Sequence, residues 1–243
     1  SDVYKRQIQN IAILKIINPP VNALSHAVRL NIMSALNNAE RNDSISAIIV
    51  MGEGNTFPAG ADITEFGLPP KSPHLPMVCD RIEQFNKPVI CAMHGTPLGG
   101  GLEIALSCHY RLAHPQTKLG LPEVHLGLLP GAGGTQRLPR LIGLPEAFKI
   151  AASGMPISAK KAKEIGLIDE LIENINDEIR EWIMIDSAIS LGFFFLTMAI
   201  IIPTMIDAII IPTIGPVQSS DWVGCIGGAG VGCGACVGCG AGV

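Results

Sequence analysis

The 243-residue chain is short of charge: charged residues make up 16%, the formal net charge is −4, and no run of Lys or Arg occurs. That lack removes the electrostatic footprint of a nucleic-acid or anionic-membrane partner, so neither is expected. Basic residues are absent after Arg180, and from Ser187 onward the only charged residues are Asp207 and Asp221. A disulfide framework is missing as well. Cys79, Cys91 and Cys108 are scattered through the first part, which fits a reducing compartment. No targeting signal is recognised, and a bacterial cytoplasmic setting is expected over a peroxisomal one. The chain opens on SDVYKRQ, without Met. This heptapeptide resembles the in-frame translation of a sequencing-library adapter, so residues 1–7 read as an adapter-like artefact and carry no weight in the fold reading.

The other end is as unusual. SAISLGFFFLTMAIIIPTMI, from Ser187 to Ile206, carries no charge and is long enough to span a bilayer. Pro203 and Pro212 interrupt the apolar stretch and no Lys or Arg follows it, which weighs against an anchor. Cys225 stands ahead of Cys233, Cys236 and Cys239, whose C-x2-C-x2-C spacing invites a zinc or iron–sulfur reading. Gly227–Val243 is built only from Gly, Ala, Val and Cys, as a shifted reading frame through GC-rich DNA would give. A metal site is therefore not expected. Residues 175–243 read as an atypical tail, mistranslated or disordered.

Between the ends, strands and helices alternate. Asn10–Asn18 (NIAILKIIN) reads as a strand stopped by Pro19 and Pro20. A helix follows with Val28, Ile32, Leu36 and Ala39 at helical spacing and Ser25 as its N-cap. ISAIIVMG and KPVICAMHG read as buried strands, HYRLA as a further one, and LIDELIE as a closing one. PHLPMVCDRIEQFN, TQRLPRLIG, PEAFKIAASG and SAKKAKEIG are the remaining helix candidates. The alternation argues for an α/β fold with largely parallel pairing.

Chemistry concentrates in HGTPLGGGLEIALS. Gly99, Gly100 and Gly101 set bare N–H groups at a helix start, where negative charge is favoured. Glu103 follows among Leu102, Ile104, Ala105 and Leu106, a costly place for a carboxylate without a partner. A carboxylate beside the N–H groups would repel a phosphate. It suits a carbonyl that gains charge while the carboxylate handles a proton. Glu123, in GLPEVHLGLLPGAGGTQ between Pro122 and Pro130, reads on its own as a loop-surface acid. GAGGTQRLPRLIG lacks the Walker Lys and the dinucleotide spacing, so it reads as a loop-to-helix turn.

NPPVNALS, FPAGADITEF, KPVICAMHGTPLGGGLEIALSCHYRLA, LGLPEVHLGLLPGAGGTQRLPRLIG and GMPISAKKAKEIGLIDELI together resemble the enoyl-CoA hydratase/isomerase (crotonase) family. The resemblance covers Ile8 to Glu173 in order and spacing, and is closest to the N-terminal hydratase half of multifunctional fatty-acid β-oxidation enzymes. It implies a crotonase-like ββα superhelix over 8–174, with the family's C-terminal helical part replaced by the tail. It implies that Ala61 and Gly100 N–H hold the thioester oxygen of an acyl-CoA, that Glu103 activates water and that Glu123 delivers a proton. Ala59, Gly60, Asp62 and Ile63 would line the adenine and pantetheine path through backbone groups, with Ala23 beside them. Gly99, Pro130 and Gly131 would complete the substrate site. No metal and no separate cofactor is implied, since coenzyme A arrives as part of the substrate.

His94, His109 and His125 receive no role from the resemblance and read as structural or surface residues. Two functional readings follow. One is a 2-enoyl-CoA hydratase, with a secondary Δ3-Δ2-enoyl-CoA isomerase activity. The other is a non-catalytic fragment that lacks the helices needed to close the pocket and build an oligomer.

Overall fold

The Ile- and Val-rich runs form strands because each is enclosed on both faces, where β-branched side chains pack well. The computed structural model describes residues 2–8 and 10–173, which fall within one compact unit, Ser1–Ser190. Strands β1 (Asp2–Ile8), β2 (Ile11–Ile17), β3 (Ala47–Gly52), β4 (Val89–Met93) and β5 (Tyr110–Ala113) lie side by side in one sheet. Two-residue β6 (Lys118–Leu119) and β7 (Ile157–Ser158) pair antiparallel with each other. β8 (Glu170–Leu171) joins the edge of the main sheet beside β5.

The six-stranded sheet has the order β1-β2-β3-β4-β5-β8. From β2 onward every pairing is parallel, as the alternation of elements predicts. The order never reverses, so the chain advances one way like a spiral. It does not wind outward from a switch point as dinucleotide folds do. Among the described residues, six α-helices fill the crossovers: α1 (His26–Glu40), α2 (Leu75–Glu83), α3 (Gly100–Ser107), α4 (Gly134–Ile142), α5 (Leu144–Ser153) and α6 (Ala159–Glu164). On α1, Val28, Ile32, Leu36 and Ala39 face the core at the predicted spacing, and Ser25 Oγ accepts the Val28 N–H at 3.4 Å. Every residue of α3 is buried, so this helix is apolar around its whole circumference apart from Glu103 and Ser107.

Within the stretch read as adapter-like, residues 2–7 belong to β1, which pairs antiparallel with β2 in a register running from Asp2 opposite Ile17 to Ile8 opposite Ile11. An edge strand asks chiefly for backbone N–H and C=O groups, and Val3 adds a buried side chain. A stretch of any origin can meet that demand. The expectations for 175–243, including the Ser187–Ile206 span and the four cysteines from Cys225 on, lie outside the described residues. Among the described residues, no helix is long and apolar enough to cross a membrane.

Candidate active site

The site is built where three loops meet the N-terminus of α3. The first loop follows β2. Asn22, 2% exposed and at φ +53°, accepts the Asn18 N–H at 2.8 Å and donates to Glu53 O and Thr56 O at 2.8 and 2.7 Å. It thereby ties NPPVNALS to the loop after β3. That second loop is stitched back in turn, with Ala59 N–H on Val21 O at 3.1 Å and Leu24 N–H on Gly60 O at 2.9 Å. Ala61 N–H is left without an acceptor among the described residues.

Asn22→Ala removes three hydrogen bonds and puts an alanine at a left-handed backbone position that Asn tolerates better. At roughly 0.5–1.5 kcal/mol per bond, the expected loss of stability is about 2–4 kcal/mol. A urea or thermal melt checks it.

At α3 itself, Gly99 adopts φ +50° and ψ −124°, a conformation that a β-carbon would strain. Its N–H is taken by Gly120 O, the Gly101 N–H by Leu98 O and the Glu103 N–H by Gly99 O, each at 2.9 Å. The Gly100 N–H has no acceptor among the described residues. A β-carbon on Gly100 would lie 3.3 Å from Ala61 N, so the two free N–H groups are neighbours. The close approach depends on Gly101, where a β-carbon would stand 1.7 Å from Pro58 O.

Glu103 is 2% exposed. Its Oε1 accepts two backbone N–H groups at the start of α4, from Ala132 at 2.7 Å and Gly134 at 2.8 Å. The carboxylate therefore sits at the positive end of α4 while belonging to the first turn of α3. Burial pushes its pKa above the ordinary range, and the two N–H bonds and the Arg137 charge oppose that rise. No hydrogen bond engages Oε2 among the described residues. Pro130 is buried beside this carboxylate: a β-carbon on Gly134 would lie 3.0 Å from Glu103 Oε1 and 3.1 Å from Pro130 Cβ.

Glu123 lies on a 3-10 turn, Pro122–Leu126, that ends in left-handed Gly127. The carboxyl reaches Gly99, where a β-carbon would be 3.1 Å from Oε1. Its Oε2 is buried with no hydrogen-bond partner among the described residues. Burial pushes the pKa up, its own backbone N–H pulls it down, and the charge of Glu103 adds to the rise. The two carboxylates thus have opposite surroundings: Glu103 holds donors that favour the anion, and Glu123 holds a buried oxygen better served by a proton.

The expected residues divide accordingly. Glu103, Glu123, Gly99, Gly100, Ala61 and Pro130 come together, with Ala23, Ala59 and Gly60 on the stitched loops alongside. Asp62 Oδ1 is occupied by Thr64 N–H and Oγ1 at 3.0 and 2.7 Å, and Ile63 is 71% exposed. Gly131 is exposed, and only Leu129 O lies within 4.0 Å of where its side chain would be. The structural reading of the histidines agrees with their contacts. His94 Nε2 meets Gly54 O at 3.1 Å, His109 Nδ1 accepts the Val89 N–H at 2.9 Å, and His125 Nε2 meets Ser153 O at 3.0 Å. No group of three or more metal-ligating side chains gathers among the described residues.

Sequence reasoning missed Asn22, although an Asn after Pro-Pro in a predicted turn was a signal for local backbone capture. It also missed Ala132 and Gly134 as the groups holding Glu103. Nothing local marks them, because the contacts span 29 and 31 residues.

The family model described as Enoyl-CoA hydratase/isomerase matches residues 6–187. A peroxisomal bifunctional enzyme of Danio rerio is 46% identical over 176 residues, covering 72% of this chain and 24% of that protein. A probable enoyl-CoA hydratase of Bacillus subtilis (strain 168) is 46% identical over 167 residues, covering 66% of this chain and 65% of that protein. The chain therefore spans about a quarter of the length of the first and just under two thirds of the second. A crystal structure of an enoyl-CoA hydratase from Bacillus anthracis superposes with a TM-score of 0.70 at 31% identity, covering 74% of each chain.

Proposed function

Because the chain belongs to the enoyl-CoA hydratase/isomerase family, we propose that it adds water across the 2,3 double bond of a 2-enoyl-CoA thioester, giving a 3-hydroxyacyl-CoA. The thioester oxygen accepts the Ala61 and Gly100 N–H groups. Each such donor is worth roughly 2.7–4 kcal/mol to a developing oxyanion. Charge drawn onto that oxygen leaves C3 electrophilic. Glu103, as the anion, takes a proton from water while the water oxygen bonds to C3. Glu123, as the acid, gives its proton to C2. One proton is taken and one is given, so the net addition is H2O.

The observation that carries this reading is the opposed setting of the two carboxylates beside two unpartnered N–H groups. It favours the hydratase over the non-catalytic fragment, since every group of the mechanism lies within the described residues. The test is turnover of crotonyl-CoA by the purified chain, with 3-hydroxybutyryl-CoA identified by mass spectrometry. A folded protein that makes none of this product overturns the proposal.

We also assign a secondary Δ3-Δ2-enoyl-CoA isomerase activity and a place in fatty-acid β-oxidation. Shifting a double bond needs one group to move a proton, and Glu123 beside Gly99 has the position for it. With a 3-enoyl-CoA, Glu123→Gln is expected to lower isomerisation by about 10²-fold or more, and Glu103→Gln by less than about tenfold. Equal losses in both variants would remove the assignment. The free, buried Cys79, Cys91 and Cys108 fit the reducing setting of a cytoplasmic enzyme.

A further inference from the structure

Arg137 lies on α4, a few residues past the N–H groups that hold Glu103, and its side chain is 11% exposed. Its Nη1 donates to Ala132 O at 2.8 Å. Its Nη2 donates to Asp80 Oδ1 and Glu83 Oε2 on α2, both at 2.7 Å. The guanidinium packs over the GAGG loop so closely that a β-carbon on Gly133 would stand 2.2 Å from Nη1. Ala132 is thus held on both sides. Its carbonyl is fixed by Arg137, and its N–H is on Glu103 Oε1.

We infer that Arg137 is a positioning residue for Glu103: anchored on the Asp80 and Glu83 carboxylates, it holds the Ala132 carbonyl and so keeps the Ala132 N–H on Glu103 Oε1. The consequence is orientation. With Oε1 fixed by two N–H groups, the carboxylate cannot rotate, and Oε2 keeps one direction. One end of the fork, Nη1, is on the loop and the other, Nη2, is on the α2 carboxylates, while Nε is buried without a partner among the described residues. The inference rests on the proposed role of Glu103 in hydration.

The charged and titratable groups around Glu103 are few. Asp80 and Glu83 on α2 are engaged by Arg137, and Glu123 faces from the 3-10 turn. Cys79 on α2 is neutral, since burial pushes its thiol up to about 12. Arg137 is the cation that draws the Glu103 pKa down. Its removal is therefore expected to move the titration of Glu103 upward.

The experiment compares wild type with Arg137→Met. Asp80 and Glu83 are about half exposed, so the variant leaves no buried charge without a partner and is expected to fold. The ¹⁵N–¹H shifts of Ala132 and Gly134, followed against pH, report the Glu103 titration without any need for turnover. In Arg137→Met the midpoint is expected to rise above that of wild type, because the cation that favours the Glu103 anion is gone and its Ala132 N–H is no longer held in place. The kcat for crotonyl-CoA is expected to fall about tenfold or more with KM nearly unchanged, and the acid limb of the kcat profile to move up with the midpoint. The Asp80→Asn, Glu83→Gln double variant is expected to move all three readouts less, in the same direction. An unmoved midpoint, or a loss of activity that only tracks a loss of cooperative melting, overturns the inference. If wild type fails to hydrate while the midpoint still depends on Arg137, the clamp stands and the proposed function falls.

Discussion

Glu103→Gln is expected to lower kcat for hydration by about 10²–10⁴-fold, the usual contribution of a positioned general base. The fold is expected to survive. The amide oxygen of Gln can still accept the Ala132 and Gly134 N–H groups that now reach Oε1, so neither backbone donor loses its acceptor. KM is expected to change little, because the side chain acts on water and not on the coenzyme A portion. The pH profile sharpens the test. In wild type the rate is expected to fall at low pH as Glu103 takes up a proton, with burial raising that limb above the ordinary range of a Glu. The rate is expected to fall again at high pH as Glu123 loses its proton, a limb also raised by burial and by the charge of Glu103. Both limbs belong to the interacting pair and not to one residue each. In Glu103→Gln the acid limb is expected to vanish with the activity. Steady-state kinetics with crotonyl-CoA and a circular-dichroism melt check the result, and a variant that keeps wild-type turnover removes Glu103 from the mechanism.

Glu103 was legible in the sequence because burying a carboxylate among aliphatic side chains is costly, so its presence asks for a reason. Gly99–Gly101 were legible for a related reason, since three glycines before an apolar helix predict an unobstructed N-terminus. The parallel sheet was legible in the Ile- and Val-rich runs. Glu123 was different. Its own segment exposes Val124, Leu126, Leu128 and Leu129, so local pattern points to a surface turn, and only resemblance to a family singled it out. Its carboxyl instead lies against Gly99, at the start of another element. The small β6–β7 sheet was not legible because two-residue strands carry no periodicity. Yet β6 leads directly to Gly120, whose carbonyl takes the Gly99 N–H and fixes the start of α3. Arg137 and Asn22 share this character: each acts through backbone groups far away in sequence, and a side-chain pattern records nothing of that. The pairing of β1 was not legible either, because edge pairing depends on backbone groups and not on side-chain pattern.

Gly101→Ala is expected to damage stability and activity together, and its neighbour shows why. An alanine is ordinarily the better helix residue by about 1 kcal/mol, so propensity alone favours the change at both Gly100 and Gly101. At Gly101 the new methyl would stand 1.7 Å from Pro58 O and 2.6 Å from Pro58 C. Those atoms are backbone, held in the loop that Asn22 and Val21 stitch down, so the loop or the helix must move. Overpacking of this kind costs about 1–3 kcal/mol or more, which outweighs the propensity gain. The movement also separates Ala61 N–H from Gly100 N–H, and losing one such donor lowers kcat by about 10²–10³-fold. At Gly100 the first obstacle is Leu75 Cδ2 at 2.6 Å, the tip of a flexible side chain, with Ala61 N at 3.3 Å. Leu75 can turn aside, so Gly100→Ala is expected to melt close to wild type. Its methyl nevertheless lies against Ala61 N, beside the pair of free N–H groups, and activity is expected to fall there too. Thermal melts and crotonyl-CoA turnover for the two variants separate packing from chemistry. Loss of both quantities at Gly101, with loss of activity alone at Gly100, is the pattern this geometry requires. A Gly101→Ala protein with wild-type melting and turnover would mean that α3 does not approach the Pro58 carbonyl as closely as the site demands.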